Sequence, residues 1–492
     1  MARDPHGSPW RTLDKDLKRI VQMEAATAYV ARPLVGPGIA LAFIALAGLA
    51  AAILLGQTPV NMVVVTAAIF GAYMALNIGA NDVANNMGPA VGANALSMGG
   101  AILIAAIAES AGALLAGGEV VSTISKGIID PQAMQNTEIF IWAMMAALIS
   151  AALWVNLATW VSAPVSTTHS IVGGVMGAGI AAAGFASVNW PTMAKIAASW
   201  VISPVLGGVI AAAFLAFIKA RIIYQEDKIA AARRWVPVLV GLMGGAFSAY
   251  LALKGLKRIV RIDTDVALMI GLAAGLLIWA ITVPLIRRQS QGLENRNKSL
   301  KVLFGLPLVV SAALLSFAHG ANDVANAVGP LAAIVHASEF GNFAAKVTIP
   351  MWVMVIGAFG ISFGLFLFGP KLIRMVGSQI TKLNPMRAFC VAISAAFTVI
   401  VASTMGLPVS STHIAVGGVF GVGFYREWHM ERRLRASSAA RGQVKQRAPE
   451  ERRRRKLVRR SHFMTIIAAW VITVPAAALM SAMIFLALNA LL

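Results

Sequence analysis

The sequence predicts an all-α polytopic membrane protein of about ten to twelve transmembrane helices, arranged as two inverted-topology repeats with broken or re-entrant helices. Three observations carry this: an apolar composition, apolar stretches of membrane-spanning length, and a pair of motifs that occurs twice. Of the 492 residues, 58% are apolar and 12% charged, about half the charge of a soluble domain, and the mean hydropathy is +0.76. That balance excludes a water-soluble enzyme. Apolar stretches at 37–55, 60–76, 139–160 and 465–492 each approach the roughly 20 residues a helix needs to cross the hydrocarbon layer. The first has no small-residue cleavage site behind it, so it is expected to stay in the membrane rather than to be removed as a signal peptide.

The repeats come from direct comparison of the two halves. GANDVANNMGP at 79–89 returns as GANDVANAVGP at 320–330, identical at nine of eleven positions. PVSTTHSIVGGVMGAG at 164–179 returns as PVSSTHIAVGGVFGVG at 408–423, identical at eleven of sixteen and in the same order. Each half then reaches a matching segment, at Trp200 and at Trp470. Charge gives their relative orientation. After Gly179 the chain carries one basic residue before Trp200, Lys195, whereas after Gly423 it carries fourteen before Trp470. Lysine and arginine gather on the cytoplasmic side, so the two connections face opposite sides and the repeats are inverted.

The expected organisation is therefore a cytoplasmic N-terminal segment at 1–35 and a first repeat at 36–218. A basic linker with scaffold helices occupies 219–301, and a second repeat occupies 302–492, with a basic cytoplasmic loop at 424–460. The net charge of +21 is read as topology, not as a nucleic-acid surface, because it lies between apolar segments. The arginine run at 452–456 is read as part of a solvated loop, with attraction to anionic lipid headgroups second. The single cysteine, Cys390, excludes an internal disulfide framework.

The first motif places Asn81, Asp82 and Asn85, and again Asn322, Asp323 and Asn326, in apolar sequence closed by Gly-Pro. A carboxylate at the bilayer centre costs several kcal/mol, on the order of 3 on insertion scales, and such residues face cavities and mark ion pathways. Carboxylate and amide oxygens suit a hard cation. Asp82, Asn85, Asp323 and Asn326 are thus candidates for cation binding, with sodium or a proton at Asp82 and Asp323. The Gly-Pro pairs are expected to break the helices.

The second motif, Ser166, Thr167 and Thr168 with Ser410, Ser411 and Thr412, follows a proline and precedes a Gly-Gly run. It reads as a helix start, where unpaired N–H groups and the positive end of the helix dipole favour an oxyanion. Neither motif contains lysine or arginine, so a bound anion must be neutralised by dipoles and co-bound cations. That points to coupled transport.

Two departures from the duplication stand out: Glu109 in AESAG is matched by Ile361 in ISFG, and His319 takes the place of Ile78. An intramembrane glutamate is a proton or cation relay by default. His169 and His413 follow the hydroxyl residues in both copies; they can titrate near neutrality, but a structural role at the broken backbone is the expectation.

With these motifs the chain resembles the PiT family of inorganic phosphate transporters, over about 61–208 and 301–492. The resemblance implies symport of phosphate with sodium or protons by alternating access, a homodimer, and a bacterial inner-membrane location. It places Asn81, Asp82, Asn322 and Asp323 at the ion and substrate centre, with the hydroxyls of both PVS motifs around the phosphate. It also makes Glu109 the counterpart of a functionally important glutamate. A second-repeat glutamate found in some animal members is replaced here by Ile361. Inorganic phosphate, coupling cations and membrane lipids are the expected partners, with no nucleic acid and no cofactor beyond the coupling cation. A sulfate permease of the same fold is the alternative, and an anion channel is the reading from another class.

Overall fold

The computed structural model describes residues 34–55, 59–161, 165–255, 262–340, 349–375, 383–440 and 460–491. Among the described residues the regular structure is helical, and eleven helices are long and apolar enough to cross a membrane, within the expected range. The first repeat supplies α1 (Leu34–Leu55), α2 (Pro59–Asn81), α3 (Val83–Gly92), α4 (Met98–Ala116), α5 (Gly118–Lys126), α6 (Thr137–Trp160), α7 (Thr167–Ala183) and α8 (Trp190–Ile218). The linker holds α9 (Lys228–Tyr250), α10 (Thr264–Gln289) and α11 (Asn297–Leu303). The second repeat supplies α12 (Gly305–Asp323), α13 (Ala325–Phe340), α14 (Met351–Met375), α15 (Pro385–Thr404), α16 (Ser411–Ala440) and α17 (Arg460–Ala490).

Side-chain oxygens start several of these helices by accepting an otherwise unpartnered amide of the first turn. Ser97 caps α4 through Gly100 N, Asn136 caps α6 through Ile139 N, and Asn384 caps α15 through Arg387 N. Helices within the bundle and at its rim differ in what they bury. Three-quarters or more of the most apolar window of α15 and of the span 305–340 lies inside the protein, against 17% for α1 and α10. Leucines of α10 such as Leu272 and Leu277 are exposed, as side chains facing lipid are.

The two repeats are interleaved: α2 packs on α14 while its counterpart α12 packs on α4, and α7 packs on α17 while α16 packs on α8. Glycine permits these crossings. A Cβ on Gly79 would stand 1.8 Å from the Ile361 carbonyl oxygen, and one on Gly320 would stand 2.2 Å from that of Glu109. The glycine that opens each GANDVAN copy is therefore the point where one repeat's backbone touches the other's.

Contacts of the same kind give direction. Gly173 and Gly177 of α7 meet Val474 and Ala478 of α17 in ascending order, and Gly417 and Gly421 of α16 meet Pro204 and Gly208 of α8 likewise. Each pair is parallel. Since the chain turns back through 184–189 between α7 and α8, the equivalent helices α7 and α16 run in opposite senses, as inverted repeats require.

Two expectations need correction. The Gly-Pro pairs do not break the helices: Pro89 and Pro330 lie inside α3 and α13. The interruptions are instead single residues, Asp82 and Val324, both with right-handed helical backbone. Proline removes one amide and leaves the carbonyl four residues earlier without that donor, here at Asn85 and Asn326, but a helix packed on both sides continues through it. The basic segment 424–460 is also not a loop throughout: α16 stays helical to Ala440, 441–459 lie outside the described residues, and α17 begins at Arg460. Residues 1–33 of the N-terminal segment and Pro164 also lie outside the described residues, and 34–35 already belong to α1.

Candidate functional site

The two hydroxyl motifs do start helices, and they start them inside the protein. Ser166 is the N-cap of α7, its Oγ accepting the amide of His169 at 3.1 Å. Ser410 does the same for α16 through the amide of His413 at 3.3 Å. All six hydroxyl residues are buried. α6 packs on α7 and α15 on α16, and the helix starts of α7 and α16, the tips of these two hairpins, meet from the two repeats.

Asp82 links both tips. Its Oδ2 accepts from Thr167 Oγ1 at 2.7 Å and its Oδ1 from Thr412 Oγ1 at 3.0 Å. Each of those hydroxyls is in turn held by an asparagine of the first motif: Asn326 Nδ2 donates to Thr167 at 3.1 Å, and Asn85 Nδ2 donates to Thr412 at 2.9 Å. Two Asn-to-Thr-to-Asp chains therefore converge on one carboxylate. Asn326 also donates to Thr168 Oγ1 at 3.2 Å, and Thr168 donates to the carbonyl of Val409 at 3.1 Å.

Asp323 is the counterpart of Asp82 but is held differently. Its Oδ2 accepts from Ser411 Oγ at 3.2 Å and lies 2.8 Å from Nε2 of His319. The other ring nitrogen of His319, Nδ1, lies 2.6 Å from Oε2 of Glu109, whose Oε1 accepts from Asn86 Nδ2 at 3.0 Å. Glu109 therefore reaches the centre through His319, and the side chains of Glu109, His319 and Asp323 are all at most 1% exposed. Asp82, His319 and Asp323 each present one ligand atom, all within 4.8 Å of one another. Among the described residues no lysine or arginine pairs with these carboxylates. Two neighbouring carboxylates repel in a low-dielectric interior, so the arrangement favours a cation between them.

Asn81 and Asn322 sit beside the centre and brace it. Asn81 donates to Thr159 Oγ1 of α6 at 2.8 Å. Asn322 donates to Ser403 Oγ of α15 at 2.9 Å and to the Leu407 carbonyl at 3.1 Å, and accepts from the Val409 amide at 3.2 Å. They fix each motif to the hairpin tip beside it. Rings of His169 and His413 meet edge to face at 4.5 Å, and His169 lies 3.8 Å from the ring of Trp200. They join α7 to α16 just behind the helix starts.

Sequence reasoning missed Asn86, Thr159 and Ser403. The signal for Asn86 is present in the halves themselves, since Ala327 stands in its place in the second copy. Three differences between otherwise matching halves, at 78/319, 86/327 and 109/361, come together in space as one polar cluster. In the first half they lie up to 31 positions apart, from 78 to 109, so only the fold reveals that they belong together.

The comparisons agree with this architecture. The sequence profile of the Phosphate transporter family matches residues 78–481, which spans both motif pairs. The chain belongs to that family. Relatives described as "Putative phosphate permease" include one from Helicobacter pylori, 44% identical over 96% of this chain and 99% of its own. Another, from Pyrococcus abyssi, is 37% identical over 85% of this chain and 96% of its own. A solved structure titled "The sodium-dependent phosphate transporter" superposes with a TM-score of 0.79 at 34% identity, covering 87% of this chain and all of its own. As a member of the phosphate transporter family, the chain is a membrane transport protein and not an enzyme, as the sequence led us to expect.

Proposed function

We propose that the protein carries inorganic phosphate across the membrane together with a cation, by alternating access. One observation carries this reading: the helix starts of two inverted repeats are tied to the same carboxylate, Asp82, by Thr167 and Thr412. The backbone amides and dipoles of α7 and α16 form an oxyanion site, with Thr167, Thr168, Ser411 and Thr412 adding hydroxyl donors. Ser166 and Ser410 serve by capping, and Asn81 and Asn322 by holding the tips.

Coupling follows from competition for the same hydroxyls. Thr167, Thr412 and Ser411 donate to Asp82 and Asp323. A cation on these carboxylates replaces those hydrogen bonds and frees the hydroxyls to turn toward phosphate, so each ligand favours the other. Thermodynamics makes the effect reciprocal. Moving a doubly charged anion into a negative interior costs about 2.3 kcal/mol per charge per 100 mV, so more than two positive charges must accompany it for the potential to assist.

The oxygen ligands of Asp82 and Asp323, with Asn85 and Asn326 behind them, favour sodium, and the solved relative is titled sodium-dependent. A second reading, proton coupling, rests on the continuous Glu109–His319–Asp323 chain. The proposed carrier is built from the two transmembrane repeats, 36–218 and 302–492, with 219–301 as linker and scaffold, in a homodimer of the bacterial inner membrane.

The test is uptake of labelled phosphate into proteoliposomes under an imposed sodium gradient, then a proton gradient, with sulfate as competitor. Saturable accumulation driven by one gradient and resistant to sulfate supports the reading and names the ion. Flux that is linear in concentration and indifferent to both gradients makes the protein a channel. Accumulation of labelled sulfate makes it a sulfate carrier.

A further inference from the structure

The linker helices carry a feature that transport does not use. α9 and α10 form an antiparallel pair in which backbone meets backbone: Gly241 stands against the Gly275 carbonyl, and Gly245 against that of Gly271. Because four glycines give this seam no side-chain bulk, it is sunk below the surface. Leu242, Leu268, Leu272, Leu276 and Trp279 stand as walls around a cavity of about 520 Å³, and all five are exposed. The lining is apolar throughout. Its volume is of the order of one long acyl chain.

What lies at one end of this groove identifies its occupant. Arg233 of α9 donates through Nε to Ser290 Oγ at 2.6 Å and through Nη2 to the Ser290 carbonyl at 3.4 Å, so the start of α9 and the end of α10 share one level. Arg234 lies one helical turn before the lining residue Val238, and Arg287 lies eleven residues, about three turns, beyond the lining residue Leu276 of α10; at 3.6 residues per turn both steps end close to the line of the groove. Both arginines are exposed. At this end of α9, Trp235 is approached by Arg221 at 5.8 Å and Arg234 at 5.6 Å, an aromatic and basic layer that marks the headgroup level. At the opposite end the described base, Lys254, is already paired with Glu119 at 3.1 Å.

We propose that this groove is a binding site for an anionic glycerophospholipid of the cytoplasmic leaflet, one acyl chain lying along the glycine seam and the phosphate held by Arg234 and Arg287. The apolar seam selects a chain and the arginines select a charge. Guanidinium forks suit phosphate oxygens in pairs, and basic pockets between transmembrane helices are recurrent sites for anionic headgroups. A zwitterionic lipid satisfies the seam but brings its own cation to the arginines. Free inorganic phosphate satisfies the arginines but leaves the seam empty, so it does not compete.

The test uses the full-length protein, purified and stripped of lipid in a neutral detergent. Its melting temperature and bound lipid, by mass spectrometry, are followed as phosphatidylglycerol, phosphatidylcholine or inorganic phosphate is added. The expected result is retention of phosphatidylglycerol alone, with stabilisation by it that adds to whatever inorganic phosphate confers through the transport site. Arg234→Ala and Arg287→Ala should each weaken retention about fivefold, the double variant roughly twenty-five-fold, at about 1 kcal/mol per arginine. Both Arg→Lys variants should retain most of it. Ala246→Phe, which fills the groove from an exposed position, should abolish retention while the melting temperature without lipid stays unchanged. Equal retention of the two lipids overturns the headgroup assignment. Inorganic phosphate displacing the lipid overturns the acyl-chain assignment. If Ala246→Phe leaves lipid bound but turns a dimer into a monomer by light scattering, the groove seats a second copy of the chain and the proposal fails.

Discussion

At the centre, three buried acids and one imidazole share a small volume, and their partners set the consequences of changing each. Asp82 accepts one hydroxyl from each repeat, so Asp82→Asn keeps the shape but removes the charge that holds a cation. We expect Asp82→Asn and Asp323→Asn each to abolish phosphate uptake while the protein still inserts and elutes as a single species in detergent. Normal uptake by both would remove the aspartates from the mechanism. His319 is a different case, because it stands between Glu109 and Asp323. His319→Ile leaves two buried carboxylates without their partner, which costs about 3–5 kcal/mol. Adding Glu109→Ile and Asn86→Ala copies the apolar counterparts Ile361 and Ala327, and should recover most of that loss in a denaturation assay. Uptake should not recover. A triple variant as unstable as the single one would show that the cluster is held by something other than mutual pairing.

At the scale of helices, the crossings are set where backbone touches backbone. A methyl on Gly79 cannot stand 1.8 Å from the Ile361 oxygen, so Gly79→Ala must push α2 from α14. Overpacking of this kind costs about 1–3 kcal/mol or more. It should lower the melting temperature and, because α2 ends at Asn81 beside Asp82, weaken phosphate affinity as well. Gly99→Ala is the control: it lies in α4 with open space around it, and alanine is the better helix former there by up to about 1 kcal/mol. Equal effects of the two substitutions would remove the crossing argument. Helix starts behave differently from crossings, since one oxygen decides them. Ser166 and Ser410 each hold a first-turn amide, and this explains why a serine opens both hydroxyl motifs although neither reaches the aspartates.

For the molecule as a whole, inversion of the repeats makes a prediction about sides. In a Cys390→Ser background, Ala186→Cys in the exposed turn before α8 should react with a membrane-impermeant thiol reagent from outside the cell. Trp428→Cys on the exposed part of α16 should react only in inverted vesicles. Labelling of both from the same side would refute the inverted arrangement. Much of this was legible in the chain itself. Composition and span length determined a helical membrane protein, and the repeated motifs determined a duplication, because eleven- and sixteen-residue matches in fixed order leave little room for coincidence. Unequal basic charge between Gly179–Trp200 and Gly423–Trp470 pointed to inversion. The residue types at Asp82, Asp323 and the two hydroxyl runs pointed to cations and an oxyanion. Tertiary structure alone decided how these parts meet, since a contact between residues 159 to 330 positions apart has no local signature. It interleaved the repeats, tied Asn85 to Thr412 and Asn326 to Thr167, kept α3 and α13 helical through their prolines, and gathered three scattered differences into the Asn86–Glu109–His319 cluster. Periodicity and propensity describe what a segment is able to form. Which buried oxygen receives which donor is settled only when packing brings both out of water together, where leaving either unpaired costs more than any local preference can offset.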